Sequence, residues 1–211
     1  MTDKLFTHVF NALTALVIVT FAMFVHTPVK AAIVTQGGTD TTGAGGFTIV
    51  GGASLQTVFH PFYNQTPTTP ASEWIWDTAF TPNVTFEFGF DLSGHDVATA
   101  SLNGLWGVDN FGEIALNGTQ IAALPNSANT TGNFLSLHGF SVGLGSSLFQ
   151  AGANLLTFSL HDLGAPGAFR AALTVEADPL AAVPLPAGAP LLLLALFGLT
   201  WVRSRRRGEI V

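Results

Sequence analysis

The stretch VTFEFGFD, residues 84–91, alternates without a break. Val84, Phe86, Phe88 and Phe90 take one parity, and Thr85, Glu87, Gly89 and Asp91 take the other. Successive side chains of a strand point to opposite faces, so a period of two describes a strand with one buried and one wetted side. The pattern recurs in AFRAALTVE, residues 168–176, where Phe169, Ala171, Leu173 and Val175 stand opposite Arg170, Ala172, Thr174 and Glu176. It recurs again in NLLTFSLHD, residues 154–162, with Leu156, Phe158 and Leu160 on one side. Within FGEIALNGTQIAAL, residues 111–124, the Asn117-Gly118 pair suits a two-residue type I′ turn, which needs positive φ at both central positions. No helix of ordinary length interrupts these segments. The prediction is an all-β, antiparallel jelly-roll sandwich over residues 47–178, with Val84, Phe86, Phe88, Phe158, Phe169, Leu173 and Val175 inside.

Outside that body the composition changes. Of the 211 residues 48% are hydrophobic and only 9% charged, and the apolar excess collects in two runs, 9–25 and 187–202. The first run follows Lys4 and precedes HTPVKAA, whose Val29 and Ala31 supply small residues for cleavage; residues 1–31 therefore have the layout of a secretory signal. An uncleaved signal anchor is the alternative, and it exports the body equally. The Gly/Thr-rich residues 32–46 are expected to be a flexible lead-in. A body of about 150 residues buries about two-thirds of its unfolded surface, enough for a core without the cysteines the chain lacks.

Charge is partitioned as sharply. Residues 32–182 contain one basic side chain, Arg170, and eleven carboxylates. Such a body repels phosphate backbones, so nucleic acid is excluded as a partner, while cations and neutral sugars remain compatible.

Residues 179–211 form a tail of three parts. VPLPA (Val183, Pro184, Leu185, Pro186, Ala187) leads into the apolar run 187–202, followed by Arg203, Arg205, Arg206 and Arg207. As a helix the run measures about 24 Å, or about 30 Å with residues 183–186 included, just enough to cross a bilayer. The arginines behind it should stay cytoplasmic and place the body on the far side. Motif, apolar helix and arginine cluster in this order resemble the PEP-CTERM class of bacterial sorting signals in its VPLPA variant, with Leu185 where the commoner motif has Glu. The resemblance implies an exported protein that an exosortase-type transpeptidase handles at the inner membrane. It further implies delivery to the cell surface or extracellular matrix, often alongside exopolysaccharide production.

The body carries a second resemblance, on Trp106, Asp109, Asn110, Leu116, Asn117, Gly118, Gly152, Asn154 and Leu156. Over residues 74–176 or so it is similar to galactose-binding-like sandwich domains, which implies a jelly roll and a carbohydrate ligand. Trp106, Asp109 and Asn110 are the candidate carbohydrate contacts, since sugar sites pair an aromatic plate with short polar side chains. The same three residues read equally as a core ring beside two Asx side chains that bond loop backbone. Trp74 and Trp76 share a face at strand spacing, as a stacking platform or a buried edge.

The remaining motifs are less specific. GFSVG, residues 139–143, fits G-x-S-x-G around Ser141, but a nucleophile elbow needs a strand, sharp turn and helix that the sequence does not supply. His95-Asp96 and His161-Asp162 are adjacent pairs that a strand would point apart. Asp91, Ser93 and Asp96 fall in one turn and are weak candidates for calcium, which takes several oxygen ligands from flexible loops. The expectation is an exported, non-enzymatic surface or matrix protein associated with extracellular polysaccharide. The alternatives are a secreted hydrolase and a simple bitopic membrane protein.

Overall fold

A computed structural model describes residues 31–127 and 130–180. The segment expected to be a secretory signal and the VPLPA motif with its apolar run and arginines lie, but for residue 31, outside the described residues. The expected sandwich is present. Its strands are β1 (Ala32–Gly38), β2 (Phe47–Ile49), β3 (Leu55–Thr57), β4 (Ile75–Asp77), β5 (Asn83–Asp91), β6 (His95–Asp109), β7 (Phe111–Leu116), β8 (Thr119–Leu124), β9 (His138–Val142), β10 (Ala153–His161) and β11 (Ala168–Pro179). One four-residue helix, α1 (Gly132–Leu135), precedes β9.

One sheet runs β3-β4-β11-β6-β9, with β1 also paired to β11; the other runs β2-β5-β10-β7-β8. Every pairing is antiparallel. Registers follow the alternation: Phe86 lies opposite Phe158 across β5 and β10, and Ala171 opposite Trp106 across β11 and β6. The β7–β8 hairpin turns at Asn117 (φ 50°) and Gly118 (φ 82°), both positive as a type I′ turn requires.

The inner faces meet in an aromatic core. Phe158 lies 5.1 Å from Phe169, 5.6 Å from Phe47, 6.1 Å from Phe140 and 6.3 Å from Trp106, all in tilted or edge-on geometry. Each such ring contributes about 1.5–3 kcal/mol by leaving water, and edge-on contact adds to it. All seven residues expected inside are buried.

The outer face of β11 departs from simple alternation. Arg170 and Ala172, read as outward, are buried as well, and the chain between β3 and β4 folds over Arg170. Arg170 donates from Nε to Ser72 Oγ (2.9 Å), from Nη1 to the Asn64 carbonyl (2.8 Å) and from Nη2 to the Thr66 carbonyl (3.1 Å). Burial lowers its pKa.

The flexible lead-in expected at residues 32–46 is not observed. Residues 32–38 are strand β1, and Asp40 closes the next loop by accepting from Thr42 N (2.7 Å), Thr42 Oγ1 (2.8 Å) and Gly45 N (2.6 Å). The glycines that read as flexibility instead allow close approach: a Cβ on Gly38 would collide with the Ala71 carbonyl, and one on Gly45 with the Gly38 carbonyl. The sandwich therefore begins at Ala32, not residue 47, and its last strand ends at Pro179.

Candidate functional site

One end of the sandwich gathers the segment after β3, the β6–β7 junction, the loop around α1 and the β10–β11 loop. Its centre is Tyr63, whose hydroxyl lies 2.9 Å from Asp109 Oδ2 and 2.9 Å from the Pro166 carbonyl. Asn110 donates from Nδ2 to Asp109 Oδ1 (2.5 Å) and accepts at Oδ1 from Leu163 N (2.6 Å). Asn133 donates to the carbonyls of Asn110 (2.7 Å) and Pro125 (3.2 Å). Tyr63 stacks on Trp74 at 4.8 Å and meets Phe134 edge-on at 5.5 Å. Burial pushes the Asp109 carboxyl up to about 6; the Tyr63 hydroxyl pulls it down, and Asp162 raises it again. Burial, reinforced by Asp109, holds the Tyr63 phenol well above its ordinary pKa.

These contacts decide how the candidate sugar residues are used. Trp106 is 1% exposed, packed against Phe158, and presents no ring face on which a sugar can stack. Asp109 and Asn110 are adjacent to it in sequence but spend their side chains joining loops, with Asp109 itself buried. Trp74 and Trp76 are the buried alternative rather than a platform: Trp74 donates to the Asn64 carbonyl (2.8 Å), Trp76 to that of Thr81 (3.1 Å).

The other candidates do not converge. Asp91 accepts from Ser93 N (2.7 Å), which holds its carboxyl below the ordinary range, and Asp96 accepts from Ala98 N (3.0 Å). Each carboxylate thus closes its own turn. Among the described residues no group of three or more His, Asp or Glu side chains is placed to hold a metal. Ser141 sits inside β9, paired with Asn103, with no elbow. His161 stacks on Phe111 at 4.7 Å, while Asp162 is buried and accepts from Gly164 N. His95 only approaches the Ser93 carbonyl, at 3.2 Å. A shallow hollow of about 550 Å³ lies over Gly89, Asp91, Asn117, Ala153, Asn154 and Leu155. Its two asparagines are engaged in holding loop and hairpin together.

The sequence reading missed FHPFY, residues 59–63. Phe59 is 76% exposed and Phe62 65% exposed, whereas Tyr63 beside them is buried. Three aromatics around a proline, outside any alternating run, were the available signal. On neighbouring loops Leu163 and Leu135 are exposed too.

No family model matches the chain, and no curated protein matches it. Among solved structures, the carbohydrate-binding module CBM36 in complex with calcium and xylotriose is 8% identical, with a TM-score of 0.37 over 69% of this chain and 100% of that one. The CBM35 of Paenibacillus barcinonensis is 14% identical, with a TM-score of 0.34 over 66% and 98%. A family 35 carbohydrate-binding module from Clostridium thermocellum is 12% identical, with a TM-score of 0.38 over 66% and 97%.

Proposed function

We propose that this chain is an exported, exosortase-sorted, non-enzymatic protein of the cell surface or matrix, whose sandwich associates with extracellular polysaccharide. The observation that carries the reading is the partition of positive charge. Of seven lysines and arginines, four follow the apolar run at 187–202, two flank the first apolar run, and the remaining one, Arg170, is buried. The described sandwich therefore shows solvent no lysine or arginine, while the tail keeps its arginines where a cytoplasmic stop is needed. An acidic, cation-poor surface is unsuited to polyanions and compatible with neutral glycans.

A plain bitopic anchor needs hydrophobicity and flanking charge alone, which survive replacement of both Pro184 and Pro186 by alanine. In an exosortase-containing host the wild type should be shortened and leave the inner membrane, and the double variant should stay there at full length. Mass spectrometry of the mature C-terminus reads this out; identical processing of the two chains would overturn the sorting assignment. Retention of the released wild type on exopolysaccharide from the producing bacterium tests the second half.

A further inference from the structure

We infer that Phe59 and Phe62, with His60 between them, form the surface through which the sandwich grips a neutral saccharide. The inference rests on the polysaccharide reading above and replaces the Trp106 loop as the place of contact. Two phenyl rings at 76% and 65% exposure are unusual on a domain that buries Phe47, Phe86, Phe88 and Phe158 to 2% or less. Both rings stand in solvent, Phe62 with its ring 5.2 Å from that of His60, where the apolar C–H face of a sugar can reach them.

The backbone beneath them is tied down. Val58 N donates to the Trp74 carbonyl (2.8 Å), Tyr63 N to that of His60 (3.0 Å), and Asn64 N to that of Phe134 (2.9 Å). The Asn64 carbonyl in turn accepts from Trp74 Nε1 and Arg170 Nη1, both at 2.8 Å. Exposed rings on an ordered loop lose little freedom on binding, which distinguishes a prepared contact from a loose tip.

His60 supplies the polar partner. Phe62 N donates to His60 Nδ1 at 3.3 Å, which uses Nδ1 as the acceptor and leaves Nε2–H as the ring's donor. Nε2 has no partner among the described residues and is available to a sugar hydroxyl. The hollow over Gly89 and Leu155 is a weaker candidate, because its asparagines are consumed internally. A membrane surface fits the two rings less well, since eight carboxylates outside the buried set and no exposed lysine or arginine among the described residues oppose an anionic bilayer.

The test is affinity electrophoresis of protein recovered from cells expressing the full chain, in gels containing exopolysaccharide of the producing bacterium. The wild type should be retarded. A Phe59→Ala/Phe62→Ala variant should migrate as in a plain gel, at least tenfold weaker in apparent affinity, and an Asp91→Ala variant at the hollow should behave as wild type. Equal melting temperatures for all three proteins keep folding out of the comparison. Retardation of the double variant equal to wild type would overturn the loop assignment and leave the polysaccharide reading standing. A wild type that is not retarded would remove both. Flotation of the wild type with phosphatidylethanolamine–phosphatidylglycerol vesicles, or a concentration-dependent dimer, either one lost in the double variant, would reassign the rings to lipid or to a second copy.

Discussion

Replacing Asp109 by asparagine should stabilise the sandwich at neutral pH and leave it unchanged in mild acid. The reason is a shortage of hydrogens. Tyr63 has one hydroxyl proton and two acceptors at 2.9 Å, Asp109 Oδ2 and the Pro166 carbonyl. With Asp109 ionised, one of them goes without. Protonated Asp109 donates to the Tyr63 oxygen, whose own proton then serves Pro166, and the chain closes. Burial pushes the carboxyl up to about 6 from an ordinary 3.8, against the pull of the Tyr63 hydroxyl, so the protonated form is populated on the acid side of neutrality. A raised carboxyl binds its proton more tightly in the folded state, so its stabilisation is full below about pH 4 and is lost as pH climbs through about 6. At about 1.4 kcal/mol per pH unit the shift sets an upper bound of about 3 kcal/mol, and solvent screening at the edge of the loop cluster reduces it to about 1–2. An asparagine amide donates where the protonated acid did, at every pH. Urea unfolding followed by tryptophan fluorescence should therefore show no difference between the variant and wild type near pH 4. By about pH 7.5 the variant should be about 1–2 kcal/mol more stable. A variant less stable than wild type at neutral pH, or a difference independent of pH, would refute the proton count.

Gly118→Val places a β-branched residue at φ 82° and should cost at least about 1–2 kcal/mol; an unchanged melting temperature would contradict the turn. Arg170→Leu takes the donor from the Thr66 carbonyl and one of two partners each from the Asn64 carbonyl, which keeps Trp74 Nε1, and from Ser72 Oγ, which keeps Thr68 Oγ1. It should cost about 3 kcal/mol, read as a lower urea midpoint together with faster proteolysis between residues 58 and 74.

Strands and core were legible because both depend on local parity. Phe86, Phe88, Phe158, Phe169 and Val175 declare their face within a few residues, and Asn117-Gly118 declares its turn. β1 was not legible, since its glycines allow close packing, Gly38 against the Ala71 carbonyl and Gly37 against Phe88 and the Gly45 carbonyl, a use of glycine that looks like slackness in sequence. Nor could parity tell that Arg170 is covered, for the segment covering it lies about a hundred residues earlier in the chain. The loop site failed for the same reason. Tyr63 turns inward to partners that lie 46 and 103 residues away, while Phe62 beside it stays exposed. Trp106 illustrates the converse: it is buried against Phe158, while its proximity to Asp109 and Asn110 imitates a sugar site in sequence.

The position of β11 bears on how the protein would take a pull. Along one side it is bonded to β6 from Ala168 to Pro179, and along the other to β4 at Phe169 and to β1 from Ala172 to Ala177. The tail continues from its far end, and at its near end Pro166 and Arg170 hold the FHPFY loop through Tyr63, Asn64 and Thr66. Antiparallel ladder bonds run across the strand axis, so tension along β11 loads them sideways and together instead of peeling them one at a time. A pull applied between residue 179 and the FHPFY loop would therefore load the β11 ladder in shear, without first having to open the five-stranded sheet.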